Sequence, residues 1–154
     1  MSYLSDLLHN PVLISTALSW FIAQILKTFL HTVISRSFVP ERLVGTGGMP
    51  SSHSATVCGL TTSVALTAGV AGVEFAIALS FAIVTMYDAL GIRRQAGKQA
   101  QILNEMIRVF ADMGREEISP EDRLKELLGH TPLQVIAGAI LGIVIALIVC
   151  NLVF

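Results

Sequence analysis

Two histidines stand where the chain could handle a phosphate. His53 lies in Gly45-Thr46-Gly47-Gly48-Met49-Pro50-Ser51-Ser52-His53-Ser54, a glycine-rich turn that runs into an apolar stretch. His130 lies in Gly129-His130-Thr131-Pro132, where another apolar stretch begins. Both are expected at helix N-termini, where free backbone N–H groups and the positive end of the helix dipole favour an anion. Two imidazoles beside such a site could perform phosphoryl transfer, one attacking phosphorus and the other protonating the leaving oxygen. A single interfacial histidine is more often a polar anchor. Two on one side, with arginines nearby, point toward chemistry.

Cations to hold the phosphate come from three places. Arg93 and Arg94 follow Asp88, and Lys98 lies one turn beyond Arg94. A planar guanidinium pairs well with phosphate oxygens, so Arg94 is the first candidate, then Arg93 and Lys98. The same cluster could instead anchor a helix end to anionic headgroups. Asp88 is expected to pair with an arginine or lysine and so orient it. Gln24, Lys27 and His31 recur every three or four residues as one polar stripe in the first apolar stretch. A lysine there is costly in lipid. It faces the bundle, adding to the phosphate site, or snorkels to the interface. Gln134 could close a capping box with Thr131.

The elements that must position these residues are membrane helices. Apolar residues make up 53% of the 154-residue chain and charged ones 14%, against roughly 25% charged in an ordinary soluble domain. The charges gather in residues 88–130, and long stretches elsewhere carry almost none. A span needs about 20 apolar residues. Four segments qualify: residues 11–35, 51–70, 73–92 and 132–154. The sequence therefore predicts an all-α integral membrane bundle, one domain over residues 1–154, with a polar segment at 93–131. A net charge of −1 gives no reason to expect nucleic acid as a partner. Residues 1–10 lack the basic stretch of a cleavable signal, so the first apolar run is expected to be retained. Cys58 and Cys150 fall in different spans at different depths and are expected to be packing residues without a disulfide.

Orientation follows from Lys and Arg. Arg36 and Arg42 follow the first span, and Arg93, Arg94, Lys98, Arg108, Arg115, Arg123 and Lys125 follow the third. The other side offers Asp6 and Glu74. The positive-inside rule then places both basic segments in the cytoplasm and both termini outside the cell membrane. Within the polar segment, Ala96, Ala100, Leu103, Met106, Ile107, Phe110 and Met113 recur at helical spacing. They predict an amphipathic helix at the membrane surface or against the bundle. Ser119-Pro120-Glu121-Asp122 reads as the start of a short helix that ends at Gly129. Gly138, Gly142 and the small residues of 54–69 fit close helix packing, and four helices offer little room to enclose a lipid, so a homodimer is expected.

Three stretches resemble the type-2 phosphatidic acid phosphatase superfamily, which includes the vanadium haloperoxidases. Pro50-Ser51-Ser52-His53 is similar to its Pro-Ser-Gly-His motif, and His130 through Gly142 to its third, histidine-led motif. Met86 through Ala100 resembles the signature of a divergent bacterial and plastid branch. The resemblance implies that His130 is the nucleophile, forming a phosphohistidine, and that His53 is the general acid. Ser51 and Ser52 would contact phosphate, with Ser52 replacing the motif's glycine. It also implies that no metal or other cofactor is needed. The sequence departs from the superfamily at three points. Gln134 stands where a carboxylate usually accepts the Nδ1 proton of the nucleophilic histidine, which implies that role toward His130. Arg123 is displaced by one from the usual Ser-Arg pair. No Lys-x6-Arg-Pro motif is present, Lys27 with Arg36 being a loose echo.

The expected function is a membrane phosphatase acting on a lipid phosphate or diphosphate at the cytoplasmic face. Two alternatives stand beside it. One is a weakly active or inactive protein that binds or translocates phospholipid; the other is a structural membrane subunit whose histidines are interface anchors.

Overall fold

A computed structural model of the chain describes residues 3–36, 48–113 and 130–153, without the side chains of Leu4, Ile92, Arg93, Arg94, Ala111, Asp112 and Val153. The predicted helix from Ser119 to Gly129 lies outside these residues, as do Arg42, Arg115, Arg123 and Lys125. All the described regular structure is helical. A short α1 (Tyr3–Leu8) leads into α2 (Pro11–Ser35), α3 (Ser52–Thr67), α4 (Val73–Leu90), α5 (Ile92–Asp112) and α6 (Pro132–Ile148), which closes in a π-helical turn, Val149–Val153.

Local chemistry sets the helix starts. Asn10 caps α2, its side chain accepting from the N–H groups of Val12 at 3.0 Å and Leu13 at 3.2 Å, with Pro11 in the first turn. Ser51 caps α3 and Thr131 caps α6. Helix α3 stops at Thr67, short of the expected residue 70, because Gly69 turns the chain at φ +83°.

The bundle is packed with its small side chains inside. Ala23, Ala55 and Ala146 are fully buried, and so are Ser15, Ser19, Ser54 and Ser63. Phe29, Ile77, Phe81 and Ile140 point outward, each more than half exposed. In water that arrangement would forgo about 1.5–3 kcal/mol for each large side chain left unburied. In lipid it costs nothing, because acyl chains solvate the outer face while small residues let backbones approach. The buried serines remain satisfied by bonding back along their own helices, as Ser19 Oγ does to the Ser15 carbonyl at 2.7 Å. Helices α2 and α6 are long and apolar enough to cross a membrane, as is the run from Val73 that takes in α4. Helix α3 has 16 residues, ~24 Å at 1.5 Å each, and packs amid α2, α4 and α6.

Glycine sets the closest contact. A Cβ on Gly138 would collide with the Ser51 carbonyl oxygen, and one on Gly142 with that of Ala55. The contacts advance together along both helices, so α3 and α6 run parallel and start at the same end of the bundle. Ser51 N–H donates to the Gln134 carbonyl at 3.0 Å and His130 N–H to that of Ala89 at 3.2 Å, which brings the end of α4 to the same place.

Candidate active site

His53 is the second residue of α3, and His130 immediately precedes the cap of α6. Because those helices start side by side, the two rings meet edge to face, with centroids 5.7 Å apart and planes at 62°. His130 is buried at 3% exposure, and His53 is partly exposed.

Gln134 fulfils both expectations at once. Its backbone N–H is 3.4 Å from Thr131 Oγ1, and its Oε1 accepts from the Thr131 N–H at 3.1 Å, completing the capping box. The same Oε1 lies 3.2 Å from His130 Nδ1. A backbone N–H can only donate, so the atom facing it must be the amide oxygen. That oxygen can only accept, so His130 Nδ1 carries a proton, and in the neutral ring Nε2 would then hold the lone pair. In a neutral ring the box thereby selects the tautomer with its proton on Nδ1.

Ser51 is fully buried and its Oγ is committed to the cap. It receives the Ser54 N–H at 3.3 Å and the Ser54 hydroxyl at 3.1 Å. Ser52, at 6% exposure, opens α3 beside His53, and its carbonyl accepts the Thr56 hydroxyl at 2.7 Å. With the Ser54 N–H taken by the cap, the N–H groups of Ser52 and His53 are the ones in the first turn that lie before any intrahelical bond.

Lys27 turns inward. At 2% exposure it is among the most buried charged groups described, and it does not snorkel. Its stem passes under the turn that leads to His53: a Cβ on Gly48 would sit 3.1 Å from both Cγ and Cδ of Lys27. Gly48 also has φ +87°, a conformation that suits glycine, so the turn and the lysine beneath it require the same residue type. One turn earlier, Gln24 is buried at 6% exposure, and its Oε1 has no hydrogen-bond partner among the described residues. His31, the third member of the stripe, is less buried and has Ser35 Oγ 3.3 Å from its Nδ1.

The remaining cations are placed less closely. Arg93 and Arg94 lie in the first turn of α5, with side chains outside the described residues. Lys98 is exposed on α5, and Asp88 is partly buried near the end of α4. Among the described residues, no group of three or more His, Cys, Asp or Glu side chains could hold a metal ion. Cys58 and Cys150 are unpaired thiols; Cys58 lies 3.8 Å from Met86 Sδ, and Cys150 3.7 Å from Ser15 Oγ.

Sequence reasoning did not find the two carbonyls that fasten the site, those of Ala89 and Gln134. Their side chains carry no sign of what their backbones do. Burial of Gln24 was foreshadowed by its stripe with Lys27, but not its unfilled oxygen.

Two edge-to-face imidazoles at two helix starts, with the stem of a buried lysine under the turn before one of them, form an arrangement that could receive an anion. The model of a family described as the divergent PAP2 family matches residues 8–145. A curated protein of Bacillus subtilis (strain 168), "Uncharacterized membrane protein YuiD", is 39% identical over 151 residues, covering 93% of this chain and 96% of its own. No solved structure matches the chain.

Proposed function

The chain belongs to the divergent PAP2 family of membrane proteins, and from that premise we propose that it is a phosphatase acting on a lipid phosphate or diphosphate. The observation that carries the reading is the His53–His130 pair at 5.7 Å, with the His130 tautomer held by Gln134. In the proposed reaction His130 Nε2 attacks phosphorus and the bond to the lipid oxygen breaks. His53, as imidazolium, gives that oxygen its proton. Water then attacks the phosphohistidine, with His53 accepting the proton, and inorganic phosphate leaves. Lys27 and the opening N–H groups of α3 balance the phosphate charge, Ser52 adds a hydroxyl, and Arg94, Arg93 and Lys98 of α5 are the further candidate cations. The acyl or prenyl tail stays in the bilayer. The positive-inside pattern puts this end of the bundle in the cytoplasm.

A second reading keeps the pocket but not the turnover. It is favoured by Gln134, which orients the ring yet supplies no negative charge for the imidazolium that phosphoryl transfer requires. In that case the protein binds or moves a phospholipid.

A phosphate-release screen separates the two. Purified protein is offered phosphatidic acid, phosphatidylglycerophosphate and a polyprenyl diphosphate in mixed micelles, with chelator present. The phosphatase reading expects release from at least one of them, blocked by vanadate and absent in His130→Ala. Lipid binding without release from any substrate would favour the second.

A further inference from the structure

Helix α5 has three faces rather than two. Gly97 and Ala100 are buried and Asn104 and Ile107 half-buried, so one stripe is covered. Lys98, Gln101, Glu105 and Arg108 form an exposed polar stripe. Ile102, Leu103, Met106, Val109 and Met113 form a third, apolar and 45–67% exposed. At about 100° per residue it lies roughly 140° round the helix from the packed stripe. A helix that merely folded back on its own bundle would turn these five residues toward protein. They are not turned that way.

We propose that this third face rests in the bilayer, making α5 an interfacial helix embedded among anionic headgroups. Three observations select lipid over another occupant. Only Gly91 separates α5 from α4, whose outer surface (Ile77, Phe81, Val84) is already apolar and exposed, so the lipid-facing surface continues onto α5. Tyr87, 73% exposed in the last turn of α4, is the kind of residue that marks the headgroup level. Finally, α5 contains Arg93, Arg94, Lys98 and Arg108 against Glu105 and Asp112, a basic balance that complements an anionic leaflet. The inference does not depend on the phosphatase reading. It concerns where α5 lies, not what the histidines do.

Tryptophan scanning tests it in the full chain. In a Trp20→Phe background, Ile102→Trp and Met106→Trp report the apolar face, and Gln101→Trp and Glu105→Trp the polar one. Each is reconstituted in phosphatidylcholine–phosphatidylglycerol vesicles. Two probes per face keep the pattern readable if one variant fails to fold. The expected result is a periodic pattern. Positions 102 and 106 should be quenched several-fold more by shallowly brominated lipid than 101 and 105, and shielded from aqueous acrylamide. Equal acrylamide quenching at all four positions would put the face in water and overturn the proposal. Shielding of 102 and 106 from both quenchers would also overturn it, since the cover would then be protein: a second copy or residues 114–129.

Discussion

Gln134 Oε1 lies 3.2 Å from His130 Nδ1 while also accepting the backbone N–H of Thr131 at 3.1 Å. One oxygen thus couples the start of α6 to the protonation pattern of the ring beside it. The two roles can be separated. Thr131→Ala removes a cap, and should cost about 1 kcal/mol of stability while leaving the ring contact in place. Gln134→Ala loses cap and ring contact together. Compared at equal thermal destabilisation, it should lower phosphate release at least tenfold further, chiefly in kcat. Equal losses would mean that Gln134 serves only the helix.

Gln134→Glu keeps the side-chain length and the capping geometry but adds a charge. A carboxylate strengthens the bond to Nδ1, because bonds to charged groups contribute about 1.5–3 kcal/mol where neutral ones contribute about 1. Turnover should rise by about tenfold, the equivalent of ~1.4 kcal/mol. Steady-state release assays check this, and unchanged or reduced turnover would speak for a purely capping role.

Much of this was legible in the sequence, and the reason is local. Capping depends on a few consecutive residues, so Thr131-Pro132-Leu133-Gln134 announces a helix start, as does the Ser51 that precedes His53. Apolar runs of about 20 residues announce spans, and the alternation over residues 93–113 announces an amphipathic helix. Tertiary facts were harder to read. Whether Lys27 faces inward depends on Gly48, 21 positions away, and the Ala89 carbonyl that receives His130 N–H belongs to a side chain with no polar atom. Helix α3 was expected to reach residue 70 because its composition stays apolar that far. The turn at Gly69 is a backbone choice that composition does not reveal.

Among the described residues, Lys27 is a buried cation whose methylene stem packs under the turn before His53. Lys27→Met retains the stem and deletes the ammonium. Half-inhibition by vanadate should need at least tenfold more of the anion, measured on protein whose helix content matches that of the parent. A variant that keeps its helix content and binds vanadate as before would remove Lys27 from the phosphate site.

Gly138 sets the approach of α3 to α6, since a Cβ there would meet the Ser51 carbonyl. Gly138→Ala must push the helices apart or shift Ser51, at a cost of about 1–3 kcal/mol for overpacking. The expected outcome is a lower melting temperature together with loss of phosphate release, because the same displacement parts the two histidines. Gly72→Ala, in the turn at the other end of the bundle, should leave release intact. Full activity in Gly138→Ala would show that the spacing of the rings does not matter.

The roles of the two histidines differ in their dependence on the leaving group. A general acid matters least when the leaving oxygen is already a good one. His53→Ala should reduce release from a lipid phosphate by on the order of 10²–10⁴-fold. With p-nitrophenyl phosphate the reduction should be much smaller. His130→Ala should abolish both. Equal damage to both substrates by His53→Ala would argue against proton donation.

The most direct measurement is a rapid quench of the protein with ³²P-labelled substrate, followed by mapping of the label. The account predicts a phosphoramidate, labile in acid and stable in alkali, on the peptide that contains His130 and missing from His130→Ala. Phosphate release at full rate with no label on that peptide, or an identical label in His130→Ala, would contradict it.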